Sequence, residues 1–251
     1  RVIRFDNRDV GKSSKLDHLG KVSPAETFAK LMSGQSGTPP YRLNDMAADA
    51  VGILDALDIE SAHIVGASMG GIITMVVAAL APDRIGAAVL NDIGPRLETA
   101  GLARIATYVG RTPAMENWAQ AVSVVRALGA VSFPAKQGDD DFWDAYTRRI
   151  FRERADGMVA PDYDANIALA FTDPETAAPV DMSPLFQALA AKPVLLVRGT
   201  ISELLSAEGA AHMASLKPDL ESVEIPDTGH APTLDEPQAW DAMLAFLARV
   251  G

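Results

Sequence analysis

The chain contains no cysteine. Disulfides, thiolate metal sites and a cysteine nucleophile are excluded at once. Basic residues are in the minority, 22 against 33 acidic, for a formal net charge of −11. A broad nucleic-acid or anionic-membrane surface needs clustered lysine and arginine, so neither partner is expected. Long apolar runs are also missing: the longest, Gly70 to Ala81, falls short of the ~20 residues that cross a bilayer. Histidines number only four, which leaves few candidates for any general base. What remains is an ordinary globular balance, 48% hydrophobic and 22% charged, in 251 residues. That suits one large domain or a core with an insertion.

Short, nearly continuous apolar stretches alternate with helical patterns. Residues 1–6 (RVIRFD), 61–66 (SAHIVG), 86–92 (GAAVLND), 193–199 (PVLLVRG) and 220–226 (LESVEIP) read as strands. Helices are predicted from Asn44 as cap, with Met46, Ala50, Ile53, Leu54 and Leu57 inward; over Met69 to Leu80; over Ala207 to Leu216; and from Pro237 to Arg249, with Trp240, Met243, Leu244 and Leu247 on one face. This is an α/β pattern with a mostly parallel sheet flanked by helices. From about Gly94 to Ala188 the alternation stops. Helical patterns at Leu97–Val109, Met115–Leu128, Asp141–Ala155 and Ala165–Phe171 are punctuated by prolines. Residues 95–188 therefore read as a helical cap inserted between core segments 1–94 and 189–251.

The sheet pattern places one motif where chemistry is expected. HIVGASMGGIIT (63–74) sets Ser68 between Gly66 and Gly70, in G-x-S-x-G between a strand and a helix. A chain that turns so sharply crowds its own backbone, and small neighbours relieve the crowding. The hydroxyl would then stand over the start of the next helix, where partial positive charge favours a developing oxyanion. A plainer reading makes Ser68 an N-cap.

A serine hydroxyl needs a base to take its proton and an acid to orient that base. His63 lies inside a strand and reads as structural. His18 sits in a loop, and His212 lies mid-helix. His230, in DTGHAPTLDEP, follows the last strand and is the expected base. Two carboxylates stand at strand ends: Glu203, in RGTISELLS, is preferred by its spacing, and Asp92, at the end of GAAVLND, is the alternative acid.

These segments resemble the alpha/beta-hydrolases of the esterase and lactonase type. The matches are FDNRDVGKS, a variant of D-x-R-G-x-G-x-S, then GASMGG, RGTISELLS and DTGHAPTLDEP, in the family's order and over nearly the whole chain. The resemblance implies Ser68 as nucleophile, His230 as base, the position of Glu203 as acid and the Met69 backbone N–H as an oxyanion donor. Relatives often carry Ser-Asp where this chain has Ser202-Glu203. The family also places earlier strands and a His-Gly loop, which supplies a second oxyanion donor, before the RVIRFD strand. No His-Gly pair occurs here, so N-terminal strands are expected to be missing and the chain to be a piece of a longer protein.

A serine nucleophile favours acyl transfer, so the expected activity is that of a cytoplasmic carboxylesterase using no cofactor and no metal. An enol-lactonase or carbon–carbon bond hydrolase is the alternative, and a non-catalytic ligand-binding protein on the same fold is a third. Trp118, Phe133, Phe142, Trp143, Tyr146, Phe151, Tyr163 and Phe171 would line a pocket for a small apolar ester or lactone, or simply pack the cap. Arg148, Arg149, Arg152 and Arg154 would hold a substrate carboxylate, or pair with Asp144 and Glu153 on a solvated face.

Overall fold

The computed structural model describes residues 1–16, 41–164 and 181–251. Contacts divide the chain into two units, one spanning Arg1–Pro40 and Ala103–Ala178, the other Tyr41–Leu102 and Pro179–Gly251. The expected helix at 165–171, together with His18 and Phe171, lies outside the described residues.

The second unit holds a four-stranded parallel sheet. Its strands are β1 (Ala62–Ala67), β2 (Ile85–Asn91), β5 (Val194–Gly199) and β6 (Glu221–Ile225), in the order β1-β2-β5-β6. Burial follows from that order. The inner strands β2 and β5 are almost wholly buried, as their unbroken apolar sequences require, while β1 and β6 alternate. Helix α1 (Leu43–Ala56) packs on α2 (Met69–Leu80), which packs on β1 and β2. Helix α8 (Pro237–Val250) covers the other face. Its Ala239, Met243 and Phe246 meet Ala87, Val89, Leu195, Val197 and Ile225. Burying each large side chain there contributes roughly 1.5–3 kcal/mol.

Two helix details differ from expectation. The buried stripe of α8 runs 239-243-246, so Trp240 and Leu244 lie outside it, 51% and 50% exposed. Helix α1 starts at Leu43 rather than after Asn44. The Asp45 carboxylate accepts from the Arg42 N–H at 2.7 Å and so fixes an earlier start.

The first unit contains α4 (Trp118–Gly129), α5 (Asp140–Ile150) and a short hairpin of β3 (Phe151–Glu153) and β4 (Val159–Pro161). Helix α3 (Thr99–Tyr108) begins in the second unit and ends in the first. The predicted helix to Ala155 is corrected by this hairpin. Asp156-Gly157 turns the chain, with Gly157 at φ 79°, a conformation glycine adopts without penalty. Phe133, Trp143 and Phe151 are buried with Met115, Ala121, Val125 and Val159, and Trp118, Phe142 and Tyr146 pack against them. These aromatics form the unit's own core, and Phe133, Phe142, Trp143 and Tyr146 contact one another edge-on or stacked. Tyr163 accepts the Gly110 N–H at 3.2 Å. The arginine-rich stretch is paired: Arg148 with Asp144 at 2.8 Å, Arg152 with Asp162 at 3.0 Å and Arg154 with Asp156 at 2.7 Å.

Residues 1–6 do not form the predicted strand. They are exposed, with Val2 at 95%, and make no ladder with any described segment. A strand is defined by its neighbour's hydrogen bonds, and apolar sequence alone cannot supply them. The following loop is ordered by side chains instead. Asp6 accepts from the Lys12 N–H at 2.9 Å, and Asp9 from the Leu16 N–H at 2.6 Å. Asp9 takes φ 64° where the D-x-R-G-x-G-x-S pattern has glycine. No helix among the described residues is long and apolar enough to cross a membrane.

Candidate active site

The site lies within the second unit, at the carboxyl ends of β1, β2 and β6. Ser68 follows β1 directly and precedes the first residue of α2. Its backbone is at φ 49°, ψ −122°, a conformation that costs a non-glycine residue about 1–3 kcal/mol. Its hydroxyl makes no capping bond to the helix, so the N-cap reading fails. Gly66 is required by this turn: a Cβ there would meet the Gly70 carbonyl oxygen at 2.5 Å. Gly71 is equally tight, against Ile93 at 2.2 Å, whereas Gly70 faces open space. The Ser68 N–H donates to the Asn91 carbonyl at 3.1 Å, which continues the β1–β2 ladder and ties the turn to β2. Met69 opens α2, where a helix N–H has no carbonyl partner within the helix.

His230 Nε2 lies 2.8 Å from Ser68 Oγ, and its Nδ1 lies 2.8 Å from Asp92 Oδ2. A carboxylate only accepts, so Nδ1 carries the ring proton and Nε2 presents its lone pair to the serine. The imidazole is 10% exposed and the Asp92 side chain fully buried. A buried carboxylate is costly unless hydrogen-bonded. Asp92 has three donors: His230 Nδ1, the Gly199 N–H at 3.0 Å on Oδ1, and Ser202 Oγ at 2.6 Å on Oδ2.

The expectation of Glu203 beside the ring is therefore corrected; Asp92 stands there. The reason is a loop crossing. Asp92 leaves β2, and His230 follows β6, two strands away. The His230 loop reaches β2 by passing over the end of β5. Gly199, the last residue of β5, makes room: a Cβ on it would meet the Thr228 and Gly229 carbonyls at 2.2 and 2.7 Å. The loops are laced by Ile201 N–H to Thr228 O at 3.1 Å and Asp227 N–H to Thr200 Oγ1 at 3.0 Å. Beyond the crossing, Asn91 Nδ2 donates to the Pro232 carbonyl at 2.8 Å and holds the loop over β2. In the turn after β5 it is Ser202 that faces Asp92, while the Glu203 backbone abuts Gly101 of α3. Asn91 and Ser202 were not singled out from sequence. A polar residue ending an apolar strand, and a serine just before the preferred acid, were the available signals.

His63 and His212, the other described histidines, lie apart. His63 is exposed on β1, against expectation, and Gly86 lies close beneath its ring. His212 is half-buried on α7 (Ala207–Leu216) and bonds Ser183 Oγ at 3.0 Å. Among the described residues no group of three or more acidic or histidine side chains is placed to hold a metal ion.

The Asn91 contact makes a stability prediction. Pro232 is buried, and Asn91→Ala leaves its carbonyl without that donor. We expect a loss of about 1–3 kcal/mol in urea unfolding at unchanged m-value. A loss of only a few tenths would show that another donor replaces the amide.

Comparisons with known proteins identify the family. The family model described as the alpha/beta hydrolase fold matches residues 1–237, and the chain belongs to that family. It is 31% identical over 204 residues to a 3-hydroxybutyrate-oligomer hydrolase of Cupriavidus necator, covering 78% of this chain and 68% of that one. It is 30% identical over 194 residues to a 2-(acetamidomethylene)succinate hydrolase of Mesorhizobium japonicum, covering 76% of this chain and 65% of the relative, just under two thirds. Among solved structures, an alpha/beta hydrolase from Novosphingobium aromaticivorans superposes with a TM-score of 0.80 at 38% identity, over 97% of this chain and 78% of the other. The chain is thus a hydrolase of the alpha/beta fold.

Proposed function

We propose that the chain hydrolyses carboxylic esters through an acyl-enzyme on Ser68. The observation that carries this reading is the continuous relay from Ser68 Oγ through His230 to Asp92, with both bonds at 2.8 Å. Ser68 Oγ attacks the ester carbonyl as His230 Nε2 takes its proton. Asp92 accepts from Nδ1–H and stabilises the imidazolium. The oxyanion of the tetrahedral intermediate is met by the Met69 N–H and the positive end of α2. His230 then returns the proton to the departing alkoxide. Water, deprotonated by the same nitrogen, attacks the acyl-serine and restores the free hydroxyl. Similarity to a hydrolase named for 3-hydroxybutyrate oligomers supports an ester as substrate.

The test is covalent labelling. A fluorophosphonate probe is expected to modify the wild-type chain at Ser68, one label per chain by intact mass, and to leave Ser68→Ala untouched. A p-nitrophenyl ester is expected to give a pre-steady-state burst approaching one equivalent. Labelling of Ser68→Ala at the wild-type rate would remove Ser68 as nucleophile. Absence of both label and burst in the wild type would turn the reading toward a non-catalytic binding protein.

A further inference from the structure

Ser202 belongs to the turn that follows β5, one residue before Glu203. Its hydroxyl accepts from the Leu204 N–H at 3.2 Å and the Leu205 N–H at 3.1 Å, and it lies 2.6 Å from Asp92 Oδ2. A hydroxyl has two lone pairs and one proton. Both lone pairs face N–H groups that can only donate. The single proton is therefore directed at Asp92, and the 2.6 Å separation fits a hydroxyl bonded to a carboxylate.

The geometry around the carboxylate gives this bond a consequence. Gly199 N–H holds Oδ1, while Ser202 and His230 share Oδ2. Bonds to both oxygens fix the rotation of the carboxylate about its own axis. That fixes where Oδ2 meets the imidazole. The second donor on Oδ2 also draws charge from the oxygen that His230 uses. The turn itself is anchored from below: the buried Arg198 donates through Nε to the Leu205 carbonyl at 3.1 Å and through Nη1 to Glu224 at 2.6 Å.

We propose that Ser202 is a positioning residue for His230, acting through Asp92: it sets the orientation of the carboxylate and moderates its hold on the imidazole proton. The inference rests on the reading of Asp92 as the triad acid. It gives a role to the serine of the Ser202-Glu203 pair and none to the glutamate.

The experiment is steady-state kinetics of the full chain on p-nitrophenyl acetate across pH, with thermal melts, for wild type, Ser202→Ala, Ser202→Thr, Ser202→Cys and Asp92→Asn. Ser202→Ala is expected to lower kcat about ten- to a hundredfold, the size seen when hydrogen-bonded supports of metal ligands are removed. KM should stay within about twofold, because the lost interaction serves the chemical step. The acid limb of kcat/KM should move to higher pH, since a carboxylate with one donor fewer holds the imidazolium proton more tightly. Ser202→Thr keeps the hydroxyl and should restore most of the turnover and return the limb.

Wild-type kcat with an unmoved limb in Ser202→Ala overturns the proposal. So does a loss that tracks a lowered melting temperature while the limb stays in place, which marks a merely structural contact. If Ser202→Ala does not fold, Ser202→Cys, close in shape but a weak donor, is read by the same two criteria. Asp92→Asn separates the layers. Wild-type turnover in that variant defeats the triad reading itself, whereas an inactive Asp92→Asn beside a fully active Ser202→Ala defeats only the role of Ser202.

Discussion

Asp92→Asn is expected to lower turnover by about 10⁴-fold, the effect of the same exchange in a serine-protease triad. The hydrogen bonds at Asp92 give the reason. Gly199 N–H is a fixed backbone donor and requires an acceptor on its side of the side chain, whereas the Ser202 hydroxyl can turn away, so the carboxamide oxygen of the variant faces Gly199. The amide nitrogen then faces His230. Two donors cannot share a hydrogen bond, so Nδ1 must become the acceptor and the ring proton moves to Nε2. A protonated Nε2 faces Ser68 Oγ and cannot take its proton. Glu203→Gln leaves this arrangement untouched and should stay within a few-fold of wild type. Single-turnover kinetics on a p-nitrophenyl ester measure both variants. The reverse ranking would move the acid to the loop after β5.

His230→Ala should be more damaging still, by about 10⁶-fold, as when the base of a comparable triad is removed. Without the ring no hydrogen-bond acceptor for Ser68 Oγ remains among the described residues, and the buried Asp92 loses one of its three donors. His212→Ala is the matched control: that ring is tied to Ser183 and should be dispensable for turnover. Acidification of the wild type should mimic His230→Ala reversibly, since a protonated imidazole has no lone pair for the serine. Equal losses in the two histidine variants would undo the assignment.

Much of this site could be read before any coordinates, and the exceptions share a cause. Ser68 was legible because the strain of its turn demands glycines at fixed spacing, and His230 because only one histidine follows the last strand. The local chain encodes both. Which carboxylate meets the His230 ring is not locally encoded. Asp92 and Glu203 both follow strands, and the choice between them depends on whether the His230 loop can cross β5, which turns on the missing side chain of Gly199. The strand expected at residues 1–6 failed for a similar reason, since apolar alternation cannot show whether a partner strand lies alongside. The hairpin of β3 and β4 was a different error. Its Asp156-Gly157 turn was present in the sequence, but the helical spacing of the preceding residues masked it. The aromatics of the first unit could not be sorted by composition between pocket and core, because both uses want the same side chains.

The parallel order of the strands also bears on how activity arises as the chain folds. His230 meets Ser68 across 162 residues of sequence and Asp92 across 138. Contacts of such range form only after the chain has bought the closure of long loops, and they tend to come late. During synthesis Ser68 and Asp92 emerge long before His230, so a nascent chain carries its strained serine without the imidazole that the proposed mechanism uses as base. A folding intermediate that lacks β6 or the loop beyond it is likewise inert. On the proposed mechanism, hydrolytic competence is therefore expected only once β6 has docked on β5 and brought the His230 loop over β2.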